Sequence, residues 1–326
     1  YTTVDRFSSF ASNTDELAVT LEQSTDAPDG FGNSFKWTTT TAETTINSDE
    51  HVGLQTRLEG QSVQQLSHGT SAAKKVTLSF WVKSSVTGTF AVSIFKSNSV
   101  RIIGSTYAIS SANTWEKKTI TIDGDTSGSI PNDNSNEFQV NWFLAAGSAL
   151  DSTDNSSWAA YTTGNWAYGQ AQDSVITTTN ATWQITGVQL EVGDTATPFE
   201  HRSYGEELAK CQRYYQHTYS TGAAVGTATH DNMIGSGGAQ GNTTSSEVTG
   251  GTYTFKVEMR AAPSITFYDH LGNSARCSRL NAAVAWYGNS NVGTSIATTT
   301  SSVKPQSPNG STATGMYCHI VADSEL

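Results

Sequence analysis

The stretch Trp183 to Thr218, WQITGVQLEVGDTATPFEHRSYGEELAKCQRYYQHT, carries a strand signal, a sharp turn and a helix signal in direct succession. Trp183 and Ile185 alternate with polar residues, and Val188, Leu190 and Val192 then alternate in the opposite parity. A strand keeps one face buried, so the change of parity needs one extra residue, and Gly187 at the change predicts a β-bulge. Pro198 has no N–H to give and ends any pairing. Ser203 and Glu206 make the S-x-x-E capping box of a helix start. Leu208, Cys211 and Tyr215 follow on one helical face, with Glu206 and Lys210 paired at i, i+4 in the favourable order. That apolar face is expected to be buried, because an amphipathic helix between two sheets covers a core. β-structure is expected on both sides, with the helix as the joint.

Upstream, Val76 to Lys83 is the clearest alternation in the chain: Val76, Leu78, Phe80 and Val82 point one way, Thr77, Ser79, Trp81 and Lys83 the other. Phe90, Val92 and Ile94 repeat the pattern, as do Ile120 with Ile122 and Phe138, Val140, Trp142 with Leu144. Phe31 to Trp37 and Thr56 to Leu58 give further strands. Many strands at short spacing, with almost no helical period before Ser203, predict a β-sandwich. The pattern stops between Ala145 and Ala181, where Trp158, Tyr161, Trp166 and Tyr168 crowd together, and this reads as an ordered excursion over one sheet.

Downstream, Thr218 to Gly251 is dense in Gly, Ser and Thr and reads as loop, including Gly235-Ser-Gly-Gly238. Strands are expected at Tyr253 to Met259, Ile265 to Tyr268, Ala282 to Tyr287 and Tyr317 to Ala322, with a second loop over residues 293 to 314. The fold class is therefore all-β: two β-sandwich domains of jelly-roll-like form joined through one short α-helix. The first spans residues 1–200, the connecting helix 201–218 and a smaller C-terminal sandwich 219–326. No heptad or solenoid period appears, which excludes a fibre shaft or β-helix.

At 326 residues the chain has room for two cores, and a net charge of −11 with only 14% charged residues leaves solubility largely to neutral polar side chains. The acidic balance without a basic cluster argues against nucleic-acid binding. No apolar run approaches the roughly 18 residues of a membrane span, so no membrane insertion is expected, and no signal-peptide pattern opens the chain. Cys211, Cys277 and Cys318 form neither a disulfide framework nor a zinc pattern and read as small buried residues of a protein assembled in a reducing compartment.

VQLEVGDTATPFEHR followed by GEELAKCQRYY resembles a signature of tail-fibre-like and other virion surface proteins of tailed bacteriophages, often of marine bacteria. Tyr1 to Arg6, VTLSFWVKS (Val76 to Ser84), SSANTWEKKTI (Ser110 to Ile120) and the closing VADSEL (Val321 to Leu326) are similar to the same family. The resemblance implies a first domain like a carbohydrate-binding-module jelly roll, other virion proteins as partners, a homotrimer, attachment to a host cell-surface glycan, and a place on the virion after assembly in the host cytoplasm. It implies no cofactor; carbohydrate-binding jelly rolls often hold a structural calcium, whose ligands it does not name.

No nucleophile elbow, phosphate loop or metalloprotease motif is present, and the seven histidines lack ligand spacing. No catalytic or metal-ligating residues are therefore assigned. Asp123-Gly-Asp125-Thr-Ser-Gly128 starts like a calcium loop, but its twelfth position is Asn134, so a turn between strands is the better reading. Trp158, Tyr161, Trp166 and Tyr168 are the candidate glycan-binding residues, because flat apolar rings suit the C–H faces of sugars. The same rings would equally plug one face of the sandwich or line a subunit seam. Three functions follow: an adhesin of a tail fibre or tail tip, a purely architectural decoration or adaptor protein, and a polysaccharide depolymerase, the last ranked lowest without a solenoid period.

Overall fold

The computed structural model describes residues 2–4, 6–170, 175–220, 222–237, 248–249, 251–281, 286–292, 294–307 and 313–325. It divides into two compact units, one up to His201 and one from Arg202 to Glu325. In the first unit the strands are β1 (Thr2–Val4), β2 (Phe7–Ser12), β3 (Ala18–Ser24), β4 (Ser34–Thr41), β5 (His51–Glu59) and β6 (Val76–Ser84). They continue with β7 (Gly88–Lys96), β8 (Arg101–Ile109), β9 (Glu116–Ile122), β10 (Asn136–Ala146), β11 (Ala159–Ala160) and β12 (Thr182–Val192).

These strands make a seven-stranded sheet in the order β1-β2-β5-β10-β7-β8-β11 and a five-stranded sheet in the order β3-β4-β12-β6-β9. The inward residues expected from alternation fill the space between them. Val76, Leu78, Phe80 and Val82 of β6 meet Phe90, Val92 and Ile94 of β7 and Phe138, Val140, Trp142 and Leu144 of β10 in one buried cluster. All-β architecture with sandwiched sheets is thus the observed fold.

The bulge at Gly187 is present. Thr186 lies opposite Trp81 and Gln189 opposite Ser79, so Gly187 and Val188 together face the single residue Phe80. Gly187 has φ +60°, the left-handed region where glycine carries no Cβ penalty. Trp183 and Ile185 before the bulge are fully buried, Val188 and Leu190 after it pack on the same core, and Val192 at the strand end is exposed. Past it, residues 194–201 fold back on their own sheet: Gln189 accepts the Glu200 N–H at 2.8 Å, and Glu191 accepts the Thr197 N–H at 3.0 Å.

In the second unit a helix, α1 (Tyr204–Gln212), precedes strands β13 (Tyr215–His217), β14 (Ile234–Gly237), β15 (Val248–Thr249), β16 (Tyr253–Thr254) and β17 (Ser264–Tyr268). Strands β18 (Arg276–Asn281), β19 (Trp286–Val292), β20 (Thr294–Thr298), β21 (Ser302–Ser307) and β22 (Ala313–Asp323) complete it. β22 pairs with β13, β14, β17 and β18, and β21 pairs with β15, β16 and β20. Phe255, Met259, Phe267, Cys277, Val303, Met316, Cys318 and Ile320 form the core.

Several expectations need correction here. The capping box is formed, with Ser203 Oγ accepting the Glu206 N–H and Glu206 accepting the Ser203 N–H. Yet α1 buries none of its residues, and Leu208 is 39% exposed, so apolar spacing alone did not imply a covered face. Ile234 to Gly237 is a strand on β22, and β20 and β21 occupy the segment expected to be a second loop. Pairing to a neighbour there needs backbone groups rather than apolar side chains. Between Tyr253 and Met259 only Tyr253–Thr254 is strand, although Phe255 and Met259 are buried. Of the strand expected over Ala282 to Tyr287, residues 282–285 lie outside the described residues.

Candidate functional site

The face of the seven-stranded sheet turned away from the main core carries a small second core, Ala91, Phe143, Ala146, Leu150 and Ala167 with Phe10 and Trp166 packed on it, beside a row of polar side chains. Strand alternation places Gln139, Asn141 and Phe143 on that face, because Phe138, Val140, Trp142 and Leu144 point inward. Register then aligns a row across the strands: Ser8 opposite Gln55, Gln55 opposite Asn141, Asn141 opposite Ser93, and Ser93 opposite Gly104. A second row aligns Arg57, Gln139, Phe95 and Ile102.

The amides are joined by hydrogen bonds. Gln55 donates to Ser8 Oγ at 3.0 Å, Gln139 Nε2 donates to the side-chain oxygens of both Gln55 and Asn141, and Asn141 donates to Ser93 Oγ at 3.3 Å. Asn141, Ser93, Gln55 and Gln139 are all buried, the two glutamines each keeping 7% of their surface exposed. A buried polar chain is costly unless its members are satisfied, and this one is satisfied by its own members. Burial pulls the Arg57 guanidinium below its ordinary pKa.

The excursion after β10 closes one side of this face. Asn155 sits where a side chain on Gly104 would stand, so that glycine admits the loop against the sheet. Gln170 accepts the Ala91 N–H at 2.9 Å, and β11 pairs with β8. Trp166 meets Phe95, Phe143 and Tyr161 edge-on, with ring centroids 5.4–5.7 Å apart, and Phe10 continues the wall beyond Phe143. An aromatic wall thus borders a row of amides. Flat rings and paired amide donors and acceptors are the groups that stack on and hydrogen-bond to a polyhydroxylated chain.

Of the four rings singled out from sequence, Tyr161 and Trp166 come together in this wall, and Tyr168, just beyond, is 39% exposed. Trp158 does not join them. Its indole N–H donates to the Asp123 carbonyl at 2.6 Å, its edge meets His68, and the Lys96 ammonium lies 5.0 Å from its ring centroid. Crowding in sequence did not give one surface, because the chain between Trp158 and Tyr161 is extended as β11, and residues three apart along a strand face opposite sides. Sequence reasoning missed Gln55, Arg57, Phe95, Gln139 and Asn141. The signal of the four polar ones was present as the polar half of the β5 and β10 alternation, which looks the same whether a face is bare or covered.

The Asp123–Gly128 loop proves to be filled by a cation of the chain itself. The fully buried Lys96 ammonium meets the Asp125 carboxylate at 2.5 Å and donates to the carbonyls of Ser127 at 3.0 Å and Gly128 at 2.7 Å. Arg101 grips the same carboxylate through Nε at 2.7 Å and a second nitrogen at 3.0 Å. Burial alone would raise the Asp125 pKa; Arg101, Lys96 and the Ser127 N–H more than offset it and hold the carboxyl below its ordinary value. These oxygens, the ones a calcium ion would need, are already committed to Lys96 and Arg101. The loop does not fit the ion. Among the described residues no group of three acidic, imidazole or thiol side chains is disposed to hold a metal.

No protein-family model matches the sequence, and no curated protein sequence matches it. Solved structures similar to the chain include the enzymatically active domain of bacteriophage CBA120 tailspike protein 4, 12% identical, covering 57% of this chain and 19% of that one, with a TM-score of 0.33. A family 11 carbohydrate-binding module of a Clostridium thermocellum cellulosomal cellulase is 12% identical over 60% of this chain and 92% of its own, with a TM-score of 0.32. The N-terminal tandem of CBM22 domains from Paenibacillus barcinonensis Xyn10C is 8% identical over 97% and 85%, with a TM-score of 0.30.

Proposed function

We propose that this chain is a non-enzymatic surface protein of a tailed-phage virion, a tail fibre or tail-tip adhesin, whose first domain attaches to a host surface glycan through the outward face of the seven-stranded sheet. The amide row running into the wall of Phe95, Tyr161 and Trp166 is the observation that carries this reading. The resemblance of its strand–turn–helix stretch to virion surface proteins supplies the setting. Attachment by such a surface is weak for one copy, and a homotrimer would raise avidity by about 10²–10⁴ where the geometry lets the copies engage together.

A specific observation favours a second reading, an architectural decoration or adaptor protein. Gln55, Gln139, Asn141 and Ser93 are all buried, the last two wholly, and a sheathed polar chain fixes strand register without meeting a ligand. Probing an array of bacterial surface polysaccharides with the whole chain separates the two. Adhesion predicts saturable binding that Gln139→Ala and Tyr161→Ala each weaken roughly tenfold, the loss of one or two hydrogen bonds or a stacked ring. Absence of binding to every polysaccharide, with the chain folded and trimeric, favours the architectural role.

A further inference from the structure

The second unit holds a pair of thiols that the glycan reading does not use. Cys211 lies half-buried on α1, whereas Cys277 and Cys318 are 1% and 0% exposed in one core. β18 and β22 run antiparallel with Ser278 opposite Tyr317 and Arg279 opposite Met316, so one step along the ladder sets Cys277 across from Cys318. Directly opposed residues hold their Cβ atoms about 4.5–5.5 Å apart, and a disulfide needs roughly 3.5–4.5 Å. A small approach of the two strands closes that gap. On its other side β18 is not held in regular register at this point, because three residues of β19 lie opposite Cys277 alone, between the Arg276–Val292 and Ser278–Gly288 pairs.

We propose that Cys277 and Cys318 are a latent cross-strand disulfide, which closes when the protein meets an oxidising pool of small disulfides. The oxidant is a disulfide of the glutathione class. One cysteine, as thiolate, attacks it and releases one glutathione thiolate, leaving a mixed disulfide on the protein. The second cysteine, as thiolate, attacks the protein sulfur of that bond, expels the second glutathione and completes the cross-link. Two protein thiols have then lost two protons and two electrons, and one glutathione disulfide has become two thiols. Hydrogen bonding to Cys277 and burial push the Cys318 thiol well above its ordinary pKa, so the reaction waits on transient opening of the strands and is slow. Once formed, the bond ties β18 to β22, the strand on which four others pair.

The full chain is equilibrated in glutathione buffers from reducing to oxidising, quenched in acid, unfolded and alkylated. The expected result is three alkylated thiols at the reducing end and one, Cys211, at the oxidising end, with a peptide linking Cys277 to Cys318. Melting should shift upward by roughly 5–15 °C in the oxidised protein, as expected for closing a loop of about 40 residues. Cys318→Ser should abolish both the link and the shift. Three alkylated thiols at every poise, a link that uses Cys211, or glutathione adducts that never resolve would each overturn the proposal. None of these outcomes depends on glycan binding.

Discussion

Lys96 and Glu50 show opposite fates for a buried charge. Lys96 is matched on all sides, by Asp125, by two carbonyls and by the Trp158 ring. Replacing it with Ala strands those acceptors, and loss of one member of a buried ion pair costs about 3–5 kcal/mol, readable as a fall in the urea midpoint. Glu50 is fully buried; one carboxylate oxygen accepts the Asn47 N–H, and the other has no partner among the described residues. Burial raises its pKa, and the carboxylates of Glu43, Asp15 and Asp49 add to the rise. A raised folded-state pKa means that its contribution to stability is whole below the ordinary glutamate value of about 4.3 and is lost as pH rises through the folded value. Glu50→Gln keeps the acceptor without the charge. The variant should therefore exceed the parent at pH 8 by on the order of 1 kcal/mol and lose that advantage towards pH 4 in chemical denaturation.

At the scale of the element, Gly187 decides how β12 serves its sheet. A side chain there would meet the Phe31 ring, which packs with Phe199 and His201, and φ is +60°. Gly187→Ala should cost about 1–3 kcal/mol. Gly187→Asn should cost less if backbone strain dominates, since Asn tolerates the left-handed region; the order of the two melting temperatures settles which term rules. The bulge was legible in sequence because large apolar residues on both sides fixed the parity. β14, β20 and β21 were not, because Gly, Ser and Thr leave no parity to read and their pairing is set by the partner strands. The α1 cap was legible because a capping box is local, while burial of its face depends on distant surfaces. The candidate site was half legible: aromatic residues marked the excursion, but the amides of β5 and β10 gain their meaning only when register aligns them.

For the whole molecule, the last strand of the first unit is a middle strand. β12 lies between β4 and β6, and among the described residues no other strand joins those two halves of the five-stranded sheet. Translation delivers β3, β4, β6 and β9 well before it. Until β12 emerges, the β3–β4 hairpin and the β6–β9 pair each present an open edge, and Phe35, Trp37, Phe80 and Val82 lack Trp183 and Ile185 beside them. Ribosome-held chains ending before residue 182 should therefore be cut readily by protease, and chains long enough to expose residue 192 should resist. Protection at the shorter length would show that the halves close unaided. A messenger broken before the codon for residue 182 would then yield chains with bare strand edges, which the cell's quality control can recognise and remove.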